Sequence, residues 1–176
     1  CIVVGYFLGG VNTGLVLSKL VYRDNIRNYG SGNGGLTNMM RTYGKKAAGL
    51  TLLGDALKAV AACLVGYVLL GADGAYIAGL FCVLGHIFPI FYRFKGGKGV
   101  VTTAVAILMC NPIVFVVLLL LFVIIVLFTR YISLGSVVCV LLYPLLLDSI
   151  SRLLLGGPVH YVVYAMITAV FVVVKH

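Results

Sequence analysis

The stretch VVTTAVAILMCNPIVFVVLLLLFVIIVLF, residues 100 to 128, decides what kind of fold this chain can adopt. It is 29 residues of almost uninterrupted apolar sequence, longer than the roughly 20 residues with which a helix crosses a bilayer. Only Asn111-Pro112 interrupts it. Proline removes a backbone donor and the residue before it avoids the helical region, so the stretch predicts a helical hairpin. Its first limb, Val100–Cys110, rises only about 16 Å at about 1.5 Å per residue, too short to span alone. The basic loop before it is therefore expected to dip into the membrane.

The rest of the chain agrees with a membrane interior as its solvent. Of its 176 residues 62% are hydrophobic and 10% charged, and the mean hydropathy is +1.18. A water-soluble globule of that composition would lack the polar surface to cover itself. The reading is an all-α polytopic membrane protein forming a single membrane domain over residues 1–176. Further spans are expected at Ile2–Leu17, Ala47–Gly71, Ala75–Tyr92, Ile132–Leu147 and Val159–Val174, which with the two hairpin limbs make seven transmembrane helices. Gly-Ala-Asp-Gly at residues 71–74 reads as a tight turn. Asp148, Arg152 and the Gly156-Gly157-Pro158 breaker read as another. The chain opens on Cys1 and stops on Lys175-His176 straight after an apolar run, so both ends are expected to be incomplete.

Charge orients these spans. Thirteen Lys and Arg face four acidic residues, all Asp, for a net charge of +9. Seven spans put Lys19, Arg23, Arg27, Arg41, Lys45, Lys46, Arg93, Lys95, Lys98, Arg130 and Lys175 on one side and only Arg152 on the other, with Lys58 inside a span. Cytoplasmic loops carry the Lys/Arg excess, so the N-terminus is expected outside and the C-terminus in the cytoplasm. The balance suits anionic lipid or phosphorylated substrates; nucleic acid fits poorly because the charges lie between apolar spans. The five cysteines show no C-x-x-C spacing and read as packing residues, and no residue cluster suggests a metal site.

Two polar constellations carry candidate chemistry. GSGNGGLTN, residues 30–38, contains Gly30, Gly32 and Gly35 at G-x-G-x-x-G spacing, but a dinucleotide turn needs a strand before it and an acidic residue about 20 positions on. Here the flanks are a basic loop and a membrane helix. The glycines free backbone N–H groups to converge as a nest, Ser31, Asn33, Thr37 and Asn38 add neutral donors, and Arg41, Lys45 and Lys46 add charge. That is a phosphate-binding inventory; the plainer reading is a flexible loop with ordinary cytoplasmic charge. GHIFPIFYRFKGGKG, residues 85–99, sets Lys95 and Lys98 around Gly96 and Gly97 just before a helix whose positive end attracts anions. It is no Walker loop, since Gly99 stands where a hydroxyl would hold magnesium. His86 could donate to phosphate, act as a base, or simply pack. Asp55 and Lys58, three apart on a helix, can neutralise each other inside the membrane. Ser133, after Arg130-Tyr131, could join a pocket or cap its helix.

In order and separation, GSGNGGLTNMMRTYGKKAA, GDALKA, GHIFPIFYRFKGGKG and RYISLGS resemble the PlsY family, bacterial acyl-phosphate:glycerol-3-phosphate acyltransferases, from the first span to residue 176. The resemblance implies seven membrane helices with the N-terminus outside, in the bacterial inner membrane, with the active site facing the cytoplasm. It implies transfer of a fatty acyl group from acyl phosphate to the 1-hydroxyl of glycerol 3-phosphate, giving lysophosphatidic acid and phosphate. No cofactor, metal, acyl-CoA or acyl-carrier protein is implied, and a monomer is expected. Ser31, Arg41, Lys98 and His86 become the candidate catalytic residues; Gly30, Gly32, Asn33, Gly35, Thr37, Asn38, Lys95, Gly96, Gly97 and Ser133 become candidate substrate-binding residues. Two positions depart from the family pattern: Gly34 stands where proline is usual and Leu36 where alanine is. The family continues past the last span with a basic motif of the R-H-x-x-N-I kind, of which Lys175-His176 look like the opening pair. An organophosphate carrier and a noncatalytic membrane subunit are the rival readings.

Overall fold

A computed structural model describes residues 1–155 and 160–176. The described residues form eight α-helices: α1 (Ile2–Gly10), α2 (Thr13–Leu20), α3 (Leu36–Tyr43), α4 (Lys45–Ile87), α5 (Val100–Cys110), α6 (Pro112–Thr129), α7 (Ile132–Leu155) and α8 (Val162–Lys175). Short 3-10 turns at Ile26–Asn28 and Ile90–Tyr92 join them, and there is no strand among the described residues. Among the described residues, four helical stretches are long and apolar enough to cross a membrane: Ile2–Leu20, Lys45–Tyr92, Pro112–Thr129 and Ile132–Leu154. The outward surface is apolar too, with Val68, Leu127, Phe128 and Leu145 exposed, as lipid-facing side chains are.

Helix α4 is two limbs. Leu70 (φ −141°, ψ 23°) and Gly71 (φ 60°, ψ −143°) leave the helical region, and the chain doubles back. Gly71 supplies the left-handed φ that a side chain disfavours. The turn expected at residues 71–74 thus forms one residue earlier, and Gly74 already belongs to the second limb. There it lies against Gly66, so closely that a Cβ on either would strike the other's carbonyl oxygen. Between membrane helices, where lipid is as apolar as leucine, such small-residue contacts let the backbones pack. Helix α1 uses the same device on the second limb, Gly5 resting on Ala78 and Gly9 on Cys82.

The first span is not the single helix expected over Ile2–Leu17. It breaks at Val11–Asn12, because Asn12 turns its side chain to cap α2, Oδ1 accepting from the Leu15 N–H at 3.1 Å. The break leaves the Val11 carbonyl free. The hairpin at Asn111-Pro112 forms as the sequence predicts, with Asn111 Oδ1 accepting from the Val114 N–H at 3.1 Å and Pro112 in the first turn of α6. Helix α7 is longer than expected and runs through Pro144 to Leu155. Asp148 and Arg152, expected in a turn, lie four apart on that helix and pair at 2.8 Å. The Gly156-Gly157-Pro158 breaker and Val159 lie outside the described residues.

Helices α4 to α8 enclose a core of Tyr76, Ile107, Val114, Leu118, Cys139, Tyr143, Leu147 and Ala165. At one end of the bundle Asp73 Oδ1 meets His160 Nε2 at 2.7 Å and Tyr76 stacks on Tyr161 at 4.1 Å. At the other, Lys175 lies 5.4 Å over the Phe88 ring. Substituting Gly66 by valine should force the α4 limbs apart and cost more than about 2 kcal/mol, whereas Gly49→Ala meets open space and should not destabilise. Thermal unfolding of the two variants in detergent checks this.

Candidate functional site

The first glycine loop is shaped by one side chain. Gly30 (φ 53°) and Gly32 (φ 67°) carry the chain through left-handed turns, and Asn38 reaches back from α3 to hold them. Its Nδ2 donates to the Tyr29 and Asn33 carbonyls, each at 3.0 Å, and more weakly to Ile26 at 3.5 Å, while Oδ1 accepts from the Ser31 N–H at 3.2 Å. The amide of Asn38 is thereby committed to the loop. Ser31 and Arg41 are exposed and Thr37 is half-buried. The buried Asn33 Oδ1 has no partner among the described residues. Gly35 starts α3 with no side-chain cap, so the first N–H groups of that helix stay open. Gly34 packs under the break in the first span: a Cβ there would stand 2.6 Å from Asn12 Oδ1.

A tyrosine corner closes the back of this loop. Tyr22 stacks on Tyr43 at 4.3 Å, and the Tyr43 hydroxyl donates to Asp24 Oδ2 at 3.1 Å. Asn25 N–H, on the other carboxylate oxygen at 2.6 Å, holds Asp24 below the usual 3.8. Burial, then the Asp24 carboxylate, pushes the Tyr43 hydroxyl up from 10.0 to about 12.

The second loop folds back onto the end of α4. Gly96 N–H donates to the Ile87 carbonyl at 3.1 Å and Gly97 N–H to the His86 carbonyl at 3.0 Å. Both glycines are required by close approach: a Cβ on Gly96 would strike the His86 carbonyl oxygen, and one on Gly97 the imidazole Nε2. Gly99 (φ 80°) then starts α5 with no side-chain cap. Lys95 is exposed and Lys98 half-buried between the glycines. Just inside α5, the hydroxyls of Thr102 and Thr103 are buried without partners among the described residues.

Arg27, which sequence reading treated only as a loop charge, joins the two loops. Its Nη2 donates to the Lys95 carbonyl and, at 3.5 Å, to that of Tyr92, while the guanidinium lies 5.6 Å over the Tyr92 ring. Tyr92 packs on the cluster of Leu15, Ile26, Met39 and Ala47, which lies beneath the first loop. His176 ends the chain nearby: burial, then the charge of Lys98, holds its pKa below 6.5. Ser133 stands apart from these contacts, exposed in the first turn of α7.

Beneath the second loop is a buried polar knot. Lys58 Nζ lies 2.8 Å from Asp55 Oδ1, the pairing expected from their spacing. The same ammonium also reaches the Val11 carbonyl and His86 Nδ1, each at 2.7 Å. Thr13 Oγ1 donates to Asp55 Oδ1 at 3.1 Å. A spacing of 28 residues between Lys58 and His86 offers no local signal of this contact.

Two measurements test this construction. Asn38→Ala takes the partner from the Ser31 N–H and the Asn33 carbonyl, while the Ile26 and Tyr29 carbonyls keep the Tyr29 and Gly32 N–H groups, so it should cost about 1–3 kcal/mol and speed amide exchange over residues 30–34; Arg41→Ala should leave that exchange unchanged. The neutral Tyr43 hydroxyl contributes stability that is complete below its ordinary 10.0 and is lost as pH rises through about 12. Phenolate absorbance compared between the unmutated protein and Tyr43→Phe should show one late-titrating tyrosine missing from the variant.

The comparisons with known proteins converge. The family model described as glycerol-3-phosphate acyltransferase matches residues 1–176. The chain is 46% identical over 135 residues to the glycerol-3-phosphate acyltransferase of Finegoldia magna, covering 77% of this chain and 68% of that protein. It is 42% identical over 179 residues to that of Syntrophomonas wolfei, covering 99% and 87%. The crystal structure of PlsY, an integral membrane glycerol 3-phosphate acyltransferase, in its glycerol 3-phosphate form superposes with a TM-score of 0.87 at 33% identity, covering 99% of this chain and 86% of that one. The lysophosphatidic acid form gives 0.84 at 32%, covering 99% and 85%. With its two glycine loops, its helical membrane architecture and a match along its whole length, the chain belongs to the PlsY family of integral membrane glycerol-3-phosphate acyltransferases.

Proposed function

We propose that the chain transfers a fatty acyl group from acyl phosphate to the sn-1 hydroxyl of glycerol 3-phosphate, in bacterial phospholipid synthesis, without acyl-CoA or acyl-carrier protein. The observation that carries this reading is the Arg27 tie, which draws GSGNGG and KGGKG into one cationic, glycine-lined surface. A surface of that kind suits two phosphorylated substrates held side by side. The attacking hydroxyl forms the new ester bond to the acyl carbon, the bond from that carbon to the phosphate oxygen breaks, and the hydroxyl proton leaves with phosphate. Products are lysophosphatidic acid and inorganic phosphate.

In this scheme Ser31 and Arg41 bind substrate phosphate, with Gly30, Gly32, Asn33, Gly35 and Thr37 shaping the nest around it. Asn38 serves the same nest by holding its backbone. Lys95, Gly96 and Gly97 present Lys98, which neutralises the charge that develops on the acyl carbonyl and the leaving phosphate. His86 lies directly beneath, and Ser133, exposed in the first turn of α7, completes the substrate-binding set. The protein acts as a monomer that crosses the bacterial inner membrane seven times, N-terminus outside, with both loops at the cytoplasmic face. Eleven Lys and Arg on one side against one on the other support that orientation.

The test uses the full-length protein, since relatives extend beyond the matched region. Lys98→Ala and Ser31→Ala should each lower phosphate release from acyl phosphate plus glycerol 3-phosphate by about a hundredfold or more. Release at the unmutated rate from either folded variant would remove that residue from the mechanism.

A further inference from the structure

The knot of Asp55, Lys58 and His86 dictates where the imidazole proton sits. An ammonium group has three N–H donors and no acceptor. Lys58 Nζ has three acceptors around it: the Val11 carbonyl at 2.7 Å, Asp55 Oδ1 at 2.8 Å and His86 Nδ1 at 2.7 Å. A ring nitrogen that accepts a hydrogen bond carries no proton, so a neutral imidazole here carries its proton on Nε2. Charge balance agrees. Asp55 and Lys58 cancel, and a doubly protonated His86 would leave a net positive charge among residues that are 3%, 8% and 3% exposed. Asp55 cannot take over Nδ1, because its Oδ1 stands 3.7 Å away and is already engaged by Lys58 and Thr13.

The Nε2–H therefore remains as the free donor of a buried side chain. It makes no hydrogen bond to a described residue. It faces Gly97, whose missing Cβ leaves it room, and the His86 carbonyl fixes the Gly97 N–H immediately before Lys98. We propose that Asp55 and Lys58 are positioning residues that lock His86 as a neutral Nε2–H donor, and that this N–H serves a phosphate oxygen held at the KGGKG loop. His86 is then not the base of the reaction. The inference rests on the phosphate-binding reading of that loop. It also fits a scheme in which the hydroxyl proton leaves with phosphate and needs no protein base.

The experiment takes the full-length protein in lipid nanodiscs with 15N-labelled histidine. Long-range 15N–1H correlation reads both ring nitrogens, and His86 is identified by the signal lost in His86→Gln. The expected result is an unprotonated Nδ1 and a protonated Nε2 throughout about pH 6 to 8, where free imidazole titrates, with the Nε2 proton shifting on addition of glycerol 3-phosphate. A protonated Nδ1, averaging between tautomers, or an Nε2 proton indifferent to the ligand overturns the proposal. A kinetic arm compares His86→Gln, which keeps an N–H at similar reach, with His86→Asn, which does not. Turnover should be roughly tenfold or more higher in the glutamine variant; equal loss in both, each shown to be folded, overturns the donor role. The tautomer needs no turnover to be read. Protein with the expected tautomer but no acyl transfer would therefore count against the proposed reaction and leave the locked imidazole standing.

Discussion

Everything at the polar end of this bundle depends on the Lys58 ammonium. Buried beside membrane-spanning helices, a cation must find acceptors for its charge and its protons. It finds them on three segments: Val11 at the break in the first span, Asp55 on the first limb of α4, and His86 on the second. One side chain thus pins the break on which Gly34 of the first glycine loop packs and the root of the second loop. The break at Val11–Asn12 is part of the same arrangement, since a continuous helix would have used the Val11 carbonyl internally.

Above that knot, the loops are built mainly by what they omit. Gly96 and Gly97 have no side chain because the backbone and ring of His86 occupy the space, and Gly34 has none because Asn12 and Leu15 do. Close packing of this kind fixes backbone N–H groups without committing polar side chains. Asn38 and Arg27 supply the remaining order from their amide and guanidinium groups. Ser31 and Arg41 stay exposed and Lys98 half-buried, and in the proposed reaction such preorganised donors would stabilise charge developing in the transition state without reorganising.

The membrane architecture was legible in the sequence because lipid imposes a long, one-dimensional signal. Apolar runs marked the helices, Asn111-Pro112 marked a hairpin, and the spacing of Asp55 and Lys58 foretold their pairing. Misreadings came where a local cue was outweighed. Asn12-Thr13 inside an apolar run is a capping signal, and it splits the first span; Asp148 and Arg152 looked like turn residues, yet their four-residue spacing suits the helix they occupy. Contacts set by the hairpin geometry had no local signature. Neither the meeting of His86 with Lys58 nor the reach of Arg27 to Lys95 follows from any motif, since both depend on how α4 doubles back. The glycine loops were recognised from their composition, but the reason for their glycines is tertiary.

The central claim is that the two loops form one site for two phosphorylated substrates, one donating and one accepting the acyl group. The most direct measurement follows inorganic phosphate and lysophosphatidic acid when the full-length protein in lipid nanodiscs is given palmitoyl phosphate, with and without glycerol 3-phosphate. The account predicts that phosphate appears only when glycerol 3-phosphate is present, one for one with lysophosphatidic acid, and that palmitoyl-CoA does not substitute as donor. Phosphate release independent of glycerol 3-phosphate, or acyl transfer from palmitoyl-CoA at a comparable rate, would contradict it.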